Sequence, residues 1–281
     1  MGKLIAKILI ALSLLFVNSF WAQEFTGRAE YQTKTVLKKF KMKVNGLDAS
    51  DAEMKKIEEK INKMNEKTFV LDFNSFESLY YEPQKLEAPS TNSGIRMIAS
   101  GNSENVYKNI KDKIILSEKD FLNKEFLITD SLPQWQWQQD GTTKKIGDYI
   151  CYKAVHVKKA TADDWAEYEA SKNKKETDKT NFFVMQEPKD KITTVWYTPD
   201  IPISQGPGDF WGLPGLILEV SHGDTTILCS KVIINPKEKI TIKMPNKGKK
   251  VTQKEFDKIM DEKISQMKSA DGGLKLEINR N

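Results

Sequence analysis

Trp196 to Val220 reads WYTPDIPISQGPGDFWGLPGLILEV. It holds two tryptophans, four prolines and four glycines (Gly206, Gly208, Gly212, Gly215), then runs into an apolar segment. Pro199 and Pro202 bar a regular helix and fix the backbone. Gly206-Pro207-Gly208 and Gly212-Leu213-Pro214-Gly215 supply positions where φ can be positive or a ring can pass close to the main chain. Phe210 and Trp211 sit between them as large anchors. The stretch therefore reads as a rigid aromatic turn, a clasp, that feeds a buried strand from Leu216 to Val220. His222-Gly223-Asp224 then turns the chain, and Thr225 to Ile234 returns as a hairpin partner. A phosphate-cradling loop is the competing reading. Such loops precede a helix and carry Lys or Ser/Thr, whereas here Pro214 interrupts and a strand follows.

Upstream of the clasp the pattern is also β. Ile192 to Tyr197 leads into it directly. Trp135 and Trp137 lie two apart, so on a strand they share a face, and Asp140-Gly141 is a hairpin signal. Tyr149, Cys151, Val155 and Val157 line one face of the next strand, with Ile150, Tyr152, Ala154 and His156 on the other. Apolar residues on both faces make that strand central. Phe25 to Val44 is a first, solvent-flanked strand whose apolar parity changes near Leu37, which predicts a bulge or bend there. Phe69, Leu71 and Phe73 alternate, followed by Phe76, Leu79 and Tyr81. Runs at Val106–Ile110, Lys113–Ser117 and Lys124–Thr129 recur every eight to twelve residues, roughly the spacing of an antiparallel sheet.

Helices punctuate this pattern. Ser50 and Glu53 form a capping box ahead of Met54, Ile57, Ile61 and Met64, which predicts a helix near 50–67. Thr161 before Asp163 and Asp164 opens a charged insertion over 161–180. Thr252 and Glu255 form another capping box, with Phe256, Ile259, Ile264 and Met267 on one side. The fold class expected is a β-rich α+β protein: a single curved antiparallel sheet, a half-barrel comparable to lipoprotein-carrier (LolA-like) folds, with two or three peripheral helices. The expected division is a leader over 1–22, the sheet domain over 23–236, and a basic linker with a C-terminal helix over 237–281.

The leader is read from Lys3 and Lys7, the apolar run Ile8 to Val17, and a cleavage site near Ala22-Gln23. Its core is shorter than the ~20 apolar residues of a spanning helix. The expected protein is exported, to the periplasm or beyond, with no transmembrane segment after cleavage. The chain has 44 basic and 39 acidic residues, and losing Lys3 and Lys7 brings the net charge to about +3. That mild, mixed charge gives no motive for nucleic-acid binding. Two cysteines, Cys151 and Cys229, are either a disulfide, as an oxidising compartment permits, or two buried thiols acting as small hydrophobes. With only His156 and His222 as histidines there is no Cys/His cluster at ligand spacing, so neither metal nor cofactor is expected.

Gly212-Leu213-Pro214-Gly215-Leu216-Ile217 spells a hexapeptide. Around it stand Trp196-Tyr197-Thr198, Ile201-Pro202, Gly206-Pro207 and Phe210, with Ile146-Gly147-Asp148-Tyr149-Ile150-Cys151-Tyr152-Lys153-Ala154 upstream. The chain thereby resembles the GLPGLI family (Porph_ging-type), exported proteins of the Bacteroidetes, over a span from about Phe25 to Ile234. The resemblance implies export and carries no activity with it. The helix at 50–67, the insertion from Thr161 and the basic tail depart from the shared pattern.

Two functional readings follow. No G-x-S-x-G, H-E-x-x-H, P-loop or dinucleotide fingerprint occurs. The first reading is a cell-envelope protein that binds an apolar small molecule or an envelope protein through its aromatic strands. Trp135, Trp137, Trp196, Gly206, Pro207, Phe210, Trp211, Gly212, Leu213, Pro214 and Gly215 are its candidate groove and clasp residues, with Phe69, Phe73 and Tyr81 as further aromatics. The alternative is a hydrolase with a site near the Gly206–Gly215 turn, which requires convergent Asp, Glu or His there.

Overall fold

The structure, a computed structural model, describes residues 25–36, 66–83, 105–122, 124–173 and 187–267, together with 43–44, 47–48, 55 and 59. The bend expected near Leu37 lies outside them, as does the helix expected at 50–67, save that Lys55 and Glu59 are helical and Glu66 and Lys67 already belong to a strand. Twelve strands form one open sheet. Its first half runs β1 (Thr26–Thr35), β4 (Glu66–Asn74), β5 (Glu77–Tyr81), β6 (Asn105–Asn109), β7 (Ile114–Phe121) and β8 (Lys124–Ser131). Its second half runs β9 (Gln138–Ile146), β10 (Tyr149–Lys158), β11 (Lys191–Thr198), β12 (Leu216–His222) and β13 (Thr225–Ile234). A short pair, β2 (Lys43–Val44) and β3 (Leu47–Asp48), stands apart from it.

With β14 (Lys249–Val251) at one edge, the order β14-β8-β7-β6-β5-β4-β1-β13-β12-β11-β10-β9 is two meanders joined where β1 pairs with β13. All pairings in the large sheet are antiparallel except that of β14, which adds parallel to β8. The tail thus contributes an edge strand to the sheet. Helix α1 (Ala162–Asn173) and helix α2 (Gln253–Met267) lie outside the sheet. Both begin as the sequence expects. Thr161 N donates to Asp164 at 2.7 Å while Asp164 N donates back to Thr161 Oγ1 at 3.2 Å. Thr252 and Glu255 make the same reciprocal pair, at 2.7 and 3.2 Å. In α2, Phe256 packs against Phe126 and Phe121, and these with Val251 and Ile128 form a satellite core on β8.

The hairpin expected at Asp140-Gly141 is not there. β9 runs through those residues, and the turn falls at Gly147-Asp148, between the paired Ile146 and Tyr149. Gly141 has φ +77° and Asp140 Oδ1 accepts the Thr142 N–H, so the Asp-Gly pair builds an irregularity within β9 where its register against β10 shifts. A positive-φ Gly serves a bulge as well as a turn.

The main core lies where the clasp, residues 199–215, folds onto the sheet. Tyr31 of β1 is fully buried and donates its hydroxyl to the Ile217 carbonyl at 2.7 Å. Leu216 N and Ile217 N donate to Ile201 O and Gln205 O, so the start of β12 is hydrogen-bonded to the clasp itself. Gly215 is required by close approach: an added Cβ would lie 2.2 Å from the Thr198 carbonyl oxygen, which is backbone and cannot step aside. Gly208 is different, with φ +55° and open space around it. Urea denaturation should therefore separate them. Gly215→Val is expected to cost more than about 3 kcal/mol, the range of severe overpacking. Gly208→Ala is expected to cost about 1–2 kcal/mol, from the left-handed backbone alone.

Candidate functional site

The clasp has no regular secondary structure, so its backbone carbonyls need partners from elsewhere. The sheet supplies them. Lys108 of β6 is fully buried, and its ammonium donates to Gly206 O at 2.6 Å, Gly208 O at 2.6 Å and Phe210 O at 3.1 Å. Trp135 Nε1 donates to Asp209 O at 3.0 Å and Trp137 Nε1 to Trp211 O at 2.8 Å. Trp211 Nε1 returns a bond to Pro133 O at 2.8 Å, and Phe210 N donates to Pro207 O at 3.2 Å. Every carbonyl from Gly206 to Trp211 is thereby occupied. Ser78 of β5 adds a bond from its hydroxyl to Gln205 Oε1 at 2.8 Å.

Between the pinned clasp and the sheet lies a cleft of about 510 Å³, within the roughly 300–1,000 Å³ typical of small-molecule sites. Its apolar walls are Phe69, Tyr80, Val106, Trp135, Phe210 and Ile227. Strand register orders the sheet beneath it. One row across β1, β13, β12, β11 and β10 is Thr33, Ile227, Val220, Val195 and Ala154. Val220, Val195 and Ala154 are fully buried in the same core as Phe210. The next row, two residues along each strand, is Thr35, Thr225, His222, Thr193 and His156, and all five line the cleft. Thr35 and Thr225 share a hydroxyl hydrogen bond of 2.9 Å, and Thr193 Oγ1 shares one of 2.7 Å with His222 Nδ1. Gln136 N donates to His156 Nδ1 at 3.3 Å, and that ring stands edge-on to Trp135, centroids 5.1 Å apart. Beyond lies a third row, Lys158 opposite Lys191. Lys67 completes the cationic lining and is held by Glu82 at 3.0 Å.

Asp209 is the carboxylate in the lining. Burial pushes it above the ordinary carboxylate value, against the opposing charge of Lys108 and, more weakly, of His222 and Lys119. Burial likewise lowers the Lys108 ammonium to about 7, with the Asp209 charge acting in the other direction. Among the described residues no hydrogen bond joins Asp209 to either histidine, since His222 is bonded to Thr193 and His156 to Gln136. Nor does any group of three potential ligands gather a metal site among them.

The sequence-selected residues divide. Trp135 and Phe210 line the cleft, and their rings meet with centroids 4.9 Å apart. Trp137 stacks behind Trp135 at 5.2 Å, and Gly212 lies against its indole. Gly206, Pro207, Trp211, Leu213, Pro214 and Gly215 build the clasp without lining the cleft. Trp196 is elsewhere, beneath the Lys144 ammonium (4.3 Å to the ring) that also reaches Glu219 at 2.7 Å. Phe73 is core, and Tyr81 donates to Asp72 at 3.2 Å. Lys108, Asp209 and the threonine row were missed. The available signal for Lys108 was a lysine two residues from Val106, on the apolar parity of a strand.

Cys151 and Cys229 are both buried free thiols in this structure. Each is hydrogen-bonded to a nearby carbonyl, Tyr149 O and Lys231 O. Burial pushes Cys151 up to about 11 and Cys229 up to about 12. No helix among the described residues is long and apolar enough to cross a membrane, which leaves strand-built crossings aside.

Fold and site together define an open, mostly antiparallel sheet that carries a cleft under a loop pinned by side chains. Residues 137–219 match the model of a family described as a protein of unknown function, Porph_ging, the family that the hexapeptide resembles. No curated protein matches the chain. Two crystal structures of PNGF-II, in the C2 and P21 space groups, are similar to it at TM-scores of 0.45 and 0.46, with 13% and 14% identity. Each alignment covers 85% of this chain, which spans about a third of theirs (33% and 34%).

Two measurements check the site as built. Lys108→Met leaves three carbonyls, two buried and one part-buried, without that donor and is expected to cost about 3 kcal/mol, at roughly 1 kcal/mol for each. Native protein treated with an alkylating agent should label slowly because the thiolate is the reactive form. After unfolding in urea without reductant, both thiols should label, whereas a bonded pair would leave none.

Proposed function

We propose that this is an exported cell-envelope protein whose cleft binds an apolar small molecule. The observation that carries the reading is the cleft itself: about 510 Å³, walled by Trp135, Phe210, Phe69, Tyr80, Val106 and Ile227, beside a clasp that the sheet holds rigid. Rigid walls favour binding because less conformational entropy is lost when the ligand arrives. The leader-like first residues support export. The alternative of hydrolysis needs two titratable groups within hydrogen-bond reach near the Gly206–Gly215 turn, and Asp209, His156 and His222 share the cleft without a hydrogen bond to one another.

The test is titration with an uncharged naphthylamine dye, whose fluorescence rises on transfer from water. One equivalent should bind the wild type. Thr225→Trp, at the half-exposed end of β13, places an indole in the cleft and should abolish binding while circular dichroism stays unchanged. Undiminished binding by that folded variant, or none by the wild type, would overturn the reading.

A further inference from the structure

Resting on that reading, we propose that the ligand is an anionic amphiphile: an apolar body lies against Trp135, Phe210 and Ile227, and a carboxylate head meets Lys158 and Lys191 at the rim. The three rows of side chains run from apolar, through hydroxyl and imidazole, to cationic in two-residue steps along β10 and β11. Ala154, His156 and Lys158 succeed one another on β10, opposite Val195, Thr193 and Lys191 on β11. Successive rows on one strand face are separated by roughly 6.5–7 Å, so the polarity changes from core to charge within about 14 Å. That gradient matches a molecule with one apolar and one charged end.

The lysine pair carries the sign. Like charges directly opposite on neighbouring strands repel each other, so an anion between Lys158 and Lys191 would relieve an existing cost. The nearby acids are engaged otherwise. Asp190 Oδ1 accepts the Ala160 N–H at 3.1 Å, and Asp164 caps its helix through Thr161, its charge felt by Lys191 and Lys158 only at longer range. Among the described residues no ion pair joins Lys158 or Lys191 to a carboxylate. Lys67, by contrast, is occupied by Glu82 and is not assigned to the head. Among the described residues Asp209 is the one acid in the lining, and it belongs to the clasp, where the Lys108 charge opposes it. Between the two ends, His156, Thr193 and His222 offer hydrogen bonds to a head group that reaches inward.

Calorimetric titration with dodecanoate and with dodecanol, which share a chain and differ in charge, tests this. Dodecanoate should bind roughly tenfold or more tightly than the alcohol, the scale of a single charge-assisted hydrogen bond. The double variant Lys158→Gln, Lys191→Gln should lose that margin and leave dodecanol unaffected. Both lysines are exposed, so the variant keeps its core. Equal binding of acid and alcohol, or full acid affinity in the double variant, overturns the anionic head and leaves the cleft reading standing. Binding of neither overturns both.

Discussion

A single buried ammonium organises the molecule. Lys108 has three N–H donors, and the clasp offers it three carbonyls, from Gly206, Gly208 and Phe210. A charge taken out of water is tolerable only when its hydrogen-bonding capacity is met, and here donors and acceptors match in number. The converse holds for the loop. A segment rich in Pro and Gly cannot satisfy its own backbone, and carbonyls left unpaired in the core would each cost free energy. Lysine and clasp therefore require each other. That mutual need links β6 to the connection between β11 and β12, which lie in different halves of the sheet. Trp135 and Trp137 repeat the arrangement from the 132–137 segment, so the clasp is gripped from two directions.

The cleft follows from register. Pairings that align Thr33, Ile227, Val220, Val195 and Ala154 also align Thr35, Thr225, His222, Thr193 and His156 one step outward. Side chains on a strand alternate with period two, so a slip of one residue would move the polar row off this face. In the pairings that join these five strands, the irregularities occur outside the rows. β13 shifts against β1 between Glu30 and Tyr31, and β12 against β11 between Trp196 and Tyr197. The strands are free to bend there without disturbing the aligned set.

How much of this was legible follows from the range of each signal. Strand alternation is local, and the runs around Phe69, Val106, Lys124 and Ile192 appear as strands close to where the residues placed them. Capping boxes are local too, and those at Thr161 and Thr252 start their helices. The clasp was recognisable because Pro and Gly constrain φ wherever they stand. Asp140-Gly141 misled because a positive-φ Gly serves turns and bulges alike, and only pairing with β10 decides between them. Lys108 and Asp209 were hidden for a different reason. One is 100 residues from Gly208 in the chain, and no local pattern announces that a lysine will lie beneath a loop so distant. The threonine and histidine row was hidden in the same way, since its five members come from five strands.

The location of the clasp's hydrogen bonds also decides what the clasp can do. A loop accepts a hydrogen bond from a ligand only through carbonyls that are still free. From Gly206 to Trp211 the carbonyls are already consumed by Lys108, Trp135, Trp137 and the Phe210 N–H. What this stretch turns toward the cleft includes the Phe210 ring and the Asp209 carboxyl. Other polar groups of the lining belong to the sheet, where the hydroxyls and imidazoles of the middle row face the same space. The most recognisable stretch of the sequence is in this sense one wall of the cleft, while the hydroxyls and imidazoles that face it lie on strands whose sequences look ordinary.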